Sequence, residues 1–149
     1  MNPKVCFVIL ILFSLYSDVY TSCACDRRAY SKLSQTCSGN FVGVVEVTGP
    51  SETCPDETKK CFDIQVLDSF NPDIEADSIK TIEADQACAP ELNGKYILSG
   101  LVKENESSCF ISGCVRNRVL EQIDDLEDPK VNEYREYARI CRTKGSPRR

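Results

Sequence analysis

The hydrophobic pattern of the chain changes character three times. Behind Lys4, an unbroken apolar run extends from Val5 to Leu15 and gives way to smaller polar residues. It is shorter than the roughly 20 residues that span a bilayer. It reads as a signal peptide over residues 1–22. From Asp26 to Gln35 the chain is polar, with Tyr30 and Leu33 three apart, and a short helix or turn-rich segment is expected before Cys37.

The middle of the chain has strand patterns. Gly39-Asn40 signals a turn, and the run from Phe41 to Val47 is apolar and β-branched. Thr48-Gly49-Pro50-Ser51 is expected to end it. Phe62 to Leu67 alternates apolar and polar residues, as a half-buried strand does. The two form a long hairpin, and a Cys54–Cys61 disulfide fits across it. Ser78 to Ala84 is expected to contain a further strand. Tyr96 to Val102 and Cys109 to Ile111 are others, introduced by the turn at Glu91–Lys95 and the polar turn at Lys103–Ser108.

After Val115 the period lengthens. Val119, Leu120, Ile123 and Leu126 lie three or four apart and predict a helix. Val131, Tyr134, Ala138 and Cys141 predict a second, with Pro129 in its first turn and Asp128 as its cap. Both stripes are read as facing the core. The expected order is a short opening helix, five or six antiparallel strands and two closing helices. That order, without β-α-β alternation, predicts a mainly β fold with flanking helices, a small Greek-key β-barrel of OB type.

Composition narrows the chemistry. Of ten cysteines in 149 residues, Cys6 leaves with the leader. The rest indicate an oxidised, disulfide-stapled fold that is secreted and extracellular. They are odd in number, so one is free, paired between chains or otherwise engaged. There is no histidine, which removes Ser-His and Cys-His nucleophilic catalysis and the commonest metal ligand. No enzymatic activity and no cofactor of its own are expected. The net charge of −5 is spread out, and no basic, aromatic-studded patch points to nucleic acid. No second apolar run points to a membrane. Asp73, Glu75 and Asp77 alternate like a calcium loop, but Ser78 stands where glycine is required and Ala84 where the closing Glu belongs. Asn105-Glu106-Ser107 is an N-glycosylation sequon at Asn105. The basic end, residues 142–149, is expected to be disordered.

The stretch with distinctive chemistry is Cys23-Ala24-Cys25, directly behind the leader. A cut after Ser22 leaves Cys23 first, with its α-amine and carbonyl oxygen side by side. That pair can close a five-membered chelate on a metal ion. Zinc accepts nitrogen and oxygen ligands, and a catalytic zinc keeps one position open. A free α-amine has a pKa of about 7.7–8.0, so it can lose its proton near neutrality. A cut after Ala24 also fits the small residues Ser22 and Ala24, and it removes this terminus. In the structural alternative, Cys-x-Cys is only a staple.

Taken together, these residues resemble the tissue inhibitors of metalloproteinases and, more broadly, the netrin-like domain. The resemblance rests on Cys23-Ala24-Cys25 behind the leader, and on Cys37 shortly before Phe41-Val42-Gly43-Val44-Val45-Glu46-Val47. Tyr96-Ile97-Leu98-Ser99-Gly100 after Cys88, Cys109-Phe110, and a helical segment ending in Cys141 complete it. It covers residues 23–141 and matches only the family's amino-terminal inhibitory domain. It implies the disulfides Cys23–Cys88, Cys25–Cys109 and Cys37–Cys141, with Cys114 in place of Cys109 as an alternative. It also implies a monomeric inhibitor of matrix-type or disintegrin-type zinc metalloproteinases. In such an inhibitor the amine and carbonyl of Cys23 displace the water on the target's zinc. Ala24 enters the pocket beside the metal, Cys25 and Asp26 continue the contact, and Ala87 and Cys88 line the other half of the wedge. The zinc belongs to the protease. Ala24 replaces the family's usual Thr or Ser, and Asp26-Arg27-Arg28 replaces a more apolar run. This second departure favours an alternative, a secreted netrin-like binding or immune-modulatory module without protease inhibition.

Overall fold

The structure, a computed structural model, describes residues 31–86, 89, 91–104, 106–111 and 119–143. In chain order the elements are α1 (Lys32–Thr36), β1 (Phe41–Pro50), β2 (Lys59–Ser69), a single 3-10 turn (Ala76–Ser78), β3 (Thr81–Asp85), β4 (Gly94–Val102), β5 (Ser108–Ile111), β6 (Val119–Ile123) and α2 (Pro129–Thr143). The strands pair in the order β1-β2-β3-β5-β4, and β4 returns to β1. The sheet therefore closes into a five-stranded Greek-key barrel of OB type, and β6 adds to β4 as a sixth strand at its edge.

One pairing departs from the all-antiparallel expectation: β3 and β5 run parallel, with Ile82 opposite Cys109 and Ala84 opposite Ile111. The reason is topological. β4 lies between them in the chain and runs back, so its two neighbours in sequence point the same way where the ring closes.

Burial explains why some strands read as continuous apolar runs and others as alternating ones. Phe41, Val45, Phe62, Ile82, Leu98 and Ile111 fill the barrel interior. Val42, Val44 and Ile97 point outward from β1 and β4, where they pack with Val131, Tyr134 and Ala138 of α2. Those two strands are thus covered on both faces, as buried strands with near-continuous apolar sequence are. β2 is covered on one face only; exposed Asp63 and Gln65 alternate with buried Phe62 and Ile64. Full burial of a side chain of this size is worth about 1.5–3 kcal/mol.

Two expectations about local structure are corrected. The segment from Val119 is a strand, not a helix. Leu98 pairs with Val119 and Ile97 with Glu121, so Leu120 is an extra residue bulging from the ladder. The bulge breaks the period of two and gives Val119, Leu120 and Ile123 a helical spacing. Leu126 lies beyond the strand and is exposed. Among the described residues one closing helix therefore follows, capped by Asp128, whose Oδ1 accepts a hydrogen bond from the Lys130 amide at 2.9 Å. β1 also runs beyond Val47 to Pro50, through a shift in register before Gly49. Pro50 takes the strand's last position, where no ladder donor is needed.

Two glycines are set by geometry. Gly94 opens β4 at φ 93°, in the left-handed region. At Gly100 a Cβ would lie 2.2 Å from Cys109 Sγ, so only glycine lets β4 approach β5 there.

Candidate functional site

Cys23, Ala24, Cys25 and Asp26 lie outside the described residues, as do Ala87, Cys88, Asn105 and Cys114. The pairings expected for Cys23 and Cys25 therefore each involve a residue that is not described. Cys109 lies on the inward face of β5 and is fully buried in the barrel. What the structure shows is how the flanking residues are held.

The chain that follows the amino-terminal stretch is anchored at α1. Ser31 caps this helix, its Oγ accepting from the Ser34 amide at 3.2 Å. Directly after α1, Cys37 is disulfide-bonded to Cys141 in α2, with a Cα–Cα distance of 5.3 Å. The helix continues past Cys141, and Arg142 Nη1 donates to the Phe70 carbonyl at 2.7 Å. Arg142 and Thr143 thus belong to α2 rather than to a disordered tail.

A cluster of charges reinforces this anchor. Glu121 on β6 receives Lys32 of α1 at 2.5 Å and Lys130 of α2 at 2.9 Å. Tyr134 donates its hydroxyl to the same carboxylate at 3.2 Å. Burial pushes the Glu121 carboxyl up, but the hydrogen bonds from Lys32 and Lys130 outweigh it, and the net result lies below the usual carboxylate range. Burial, followed by the Glu121 charge, pushes the Tyr134 phenol up to about 12. Because the folded-state pKa of Glu121 lies below the unfolded value of about 4.3, its contribution to stability is complete above that pH. The contribution is lost as pH falls through the folded-state value. Glu121→Gln is therefore expected to flatten the acid limb of the melting curve between pH 7 and pH 3. Parallel limbs for the variant and the wild type would remove Glu121 from this account.

The other flank is the exit of β3, immediately before Ala87 and Cys88. The last ladder pair of β2 and β3 joins Lys59 to Asp85. Lys59 Nζ is paired with the Asp85 carboxylate and stands 4.5 Å from the centre of the Phe110 ring. The Gln86 amide donates to the Thr58 carbonyl at 2.9 Å. Cys54 and Cys61 are disulfide-bonded, closing the β1–β2 hairpin into a small ring. The Cys54–Cys61 bond is the one expected across the hairpin, whereas the Lys59–Asp85 and Thr58–Gln86 partnerships were not singled out in the sequence. The signal was Lys59-Lys60 facing an acidic strand, and reading it requires the register.

Two open depressions lie on either side of the turn at Lys103–Ser107. One of about 550 Å3 is lined by Thr53, Pro55, Glu83, Lys103 and Glu106, and one of about 480 Å3 by Asp73, Glu75, Lys103 and Glu106. Among the described residues no three His, Cys, Asp or Glu side chains are grouped so as to hold a metal ion, and no helix is long and apolar enough to cross a membrane. No protein-family model matches the chain, and no curated protein matches it.

Proposed function

We propose that this chain is a secreted, extracellular inhibitor of zinc metalloproteinases of the tissue-inhibitor type, acting through Cys23. The observation that supports the reading best is the Cys37–Cys141 bond on a closed OB-type barrel. It ties the chain directly after α1 to the closing helix. In this reading the disulfides expected of Cys23 and Cys25 hold the terminus itself, so that it loses little conformational freedom on binding.

In this reading the α-amine and carbonyl of Cys23 ligate the target's zinc in place of its water. The Ala24 methyl fills the entrance of the adjoining pocket. Cys25 and Asp26 extend along the cleft on one side, and Ala87 and Cys88 meet it on the other. The inhibitor breaks no bond and brings no metal. A second reading, a netrin-like binding module without protease inhibition, is favoured by Asp26-Arg27-Arg28, since an acid near a protease's catalytic carboxylate is repelled. Titration against metalloproteinase catalytic domains separates the two. Stoichiometric inhibition by protein beginning at Cys23 supports the inhibitor, and its absence supports the module.

A further inference from the structure

The β1–β2 hairpin carries more order than a turn requires. Within the ring closed by Cys54 and Cys61, Asp56 Oδ1 accepts from the Thr58 amide at 2.8 Å and from the Thr58 hydroxyl at 2.7 Å. The Lys59 amide donates to the Asp56 carbonyl at 2.9 Å. The hydrogen bonds to Asp56 hold its carboxyl below the usual carboxylate range. The ring is thus preorganised before it meets anything else.

It meets the chain at two places, Asp85–Gln86 and Glu91. At the first Thr58 accepts from the Gln86 amide, one residue past the ladder, and Lys59 is paired with Asp85. At the second Lys60 Nζ lies 2.5 Å from Glu91 Oε1. The Glu91 pair is exposed and contributes little by itself. The Gln86 bond and the Lys59–Asp85 pair, with Lys59 also over the Phe110 ring, carry most of the grip.

We propose that the Cys54–Cys61 ring is a clamp that fixes the exit of β3, so that Thr58 and Lys59 are positioning residues for Asp85 and Gln86. The consequence for inhibition rests on the protease-binding reading of Ala87 and Cys88. The clamp itself rests only on the contacts above. A short ring constrains the unfolded chain much less than a long one. Its expected effect is therefore local and should show as order at the exit of β3.

The test compares wild type with Cys54→Ser/Cys61→Ser, both without protease and bound to a matrix-type metalloproteinase catalytic domain. Amide exchange in the free protein reports the clamp directly. The Gln86 amide is expected to exchange about tenfold faster in the variant, beyond any uniform change at the core amides of Ile82 and Ile97. A purely structural loss moves all three equally. The variant's complex is expected to dissociate about tenfold faster with little change in association. Because Cys61 is buried, Lys59→Met serves as a second variant with the ring intact, and it is expected to raise Gln86 exchange about threefold. Gln86 exchange unchanged in both variants overturns the clamp. Faster exchange with an unchanged dissociation rate overturns its role in inhibition. Absence of inhibition by the wild type removes the protease reading alone, and the exchange result still decides the clamp.

Discussion

Replacing Cys37 and Cys141 together by alanine is expected to lower the free energy of unfolding by about 4–5 kcal/mol. The bond spans a sequence separation of 104 residues. In the chain-entropy treatment, closing a loop of that length restricts the unfolded chain by about that amount. The folded side of the balance adds to it. Cys141 sits on the same helix as Val131, Tyr134 and Ala138, which cover the outward residues of β1 and β4. Once the bond is gone, the short α1 is still held by its Ser31 cap, by the buried Thr36 and by the pairs of Lys32 with Glu121 and Glu133. Urea denaturation under non-reducing conditions measures the difference. The ring closed by Cys54 and Cys61, with a separation of 7, is expected to contribute about 2 kcal/mol less. A loss below about 1 kcal/mol for the Cys37–Cys141 pair would contradict the anchoring role assigned to it.

A single residue added before Cys23, or acetylation of its α-amine, is expected to weaken protease inhibition by about a thousandfold or more, equivalent to about 4 kcal/mol. Either change turns the amine into an amide. An amide nitrogen does not ligate zinc at neutral pH, so the chelate loses one of its two arms and the added atoms occupy the position of the metal. The barrel should be untouched, because nothing in its described core depends on the terminus: Phe41, Val45, Phe62, Ile82, Leu98 and Ile111 pack among themselves. Inhibition constants for the extended and native forms, with matched circular dichroism spectra, make the comparison. Equal inhibition by both would leave Cys23 without the role proposed.

Much of the barrel could be read from the residues because the strands differ in how they are covered. Phe41 to Val45 is apolar throughout, and in the structure that part of β1 is buried on both faces; Phe62 to Leu67 alternates, and β2 is covered on one. Asp128-Pro129 and the stripe of Val131, Tyr134 and Ala138 likewise correspond to a capped helix with one buried face. Long-range register was not legible. The parallel meeting of β3 and β5 joins segments separated by all of β4, and no local pattern announces it. The bulge at Leu120 hid a strand behind a helical spacing.

The same limit applied near the candidate site. The Cys54–Cys61 ring fitted the hairpin, but its grip on Asp85 and Gln86 follows from the pairing of β2 with β3. Glu121 is a similar case. Read on a helix, it is one more surface acid; on β6 it lies where Lys32 and Lys130 converge.

The most direct test of the proposed function is an inhibition titration with protein secreted from its own leader and its amino terminus established by mass. It should be run against matrix-type and disintegrin-type metalloproteinase catalytic domains. The account predicts near-stoichiometric inhibition of at least one of them by the form that begins at Cys23. No inhibition of any domain by that form would contradict it.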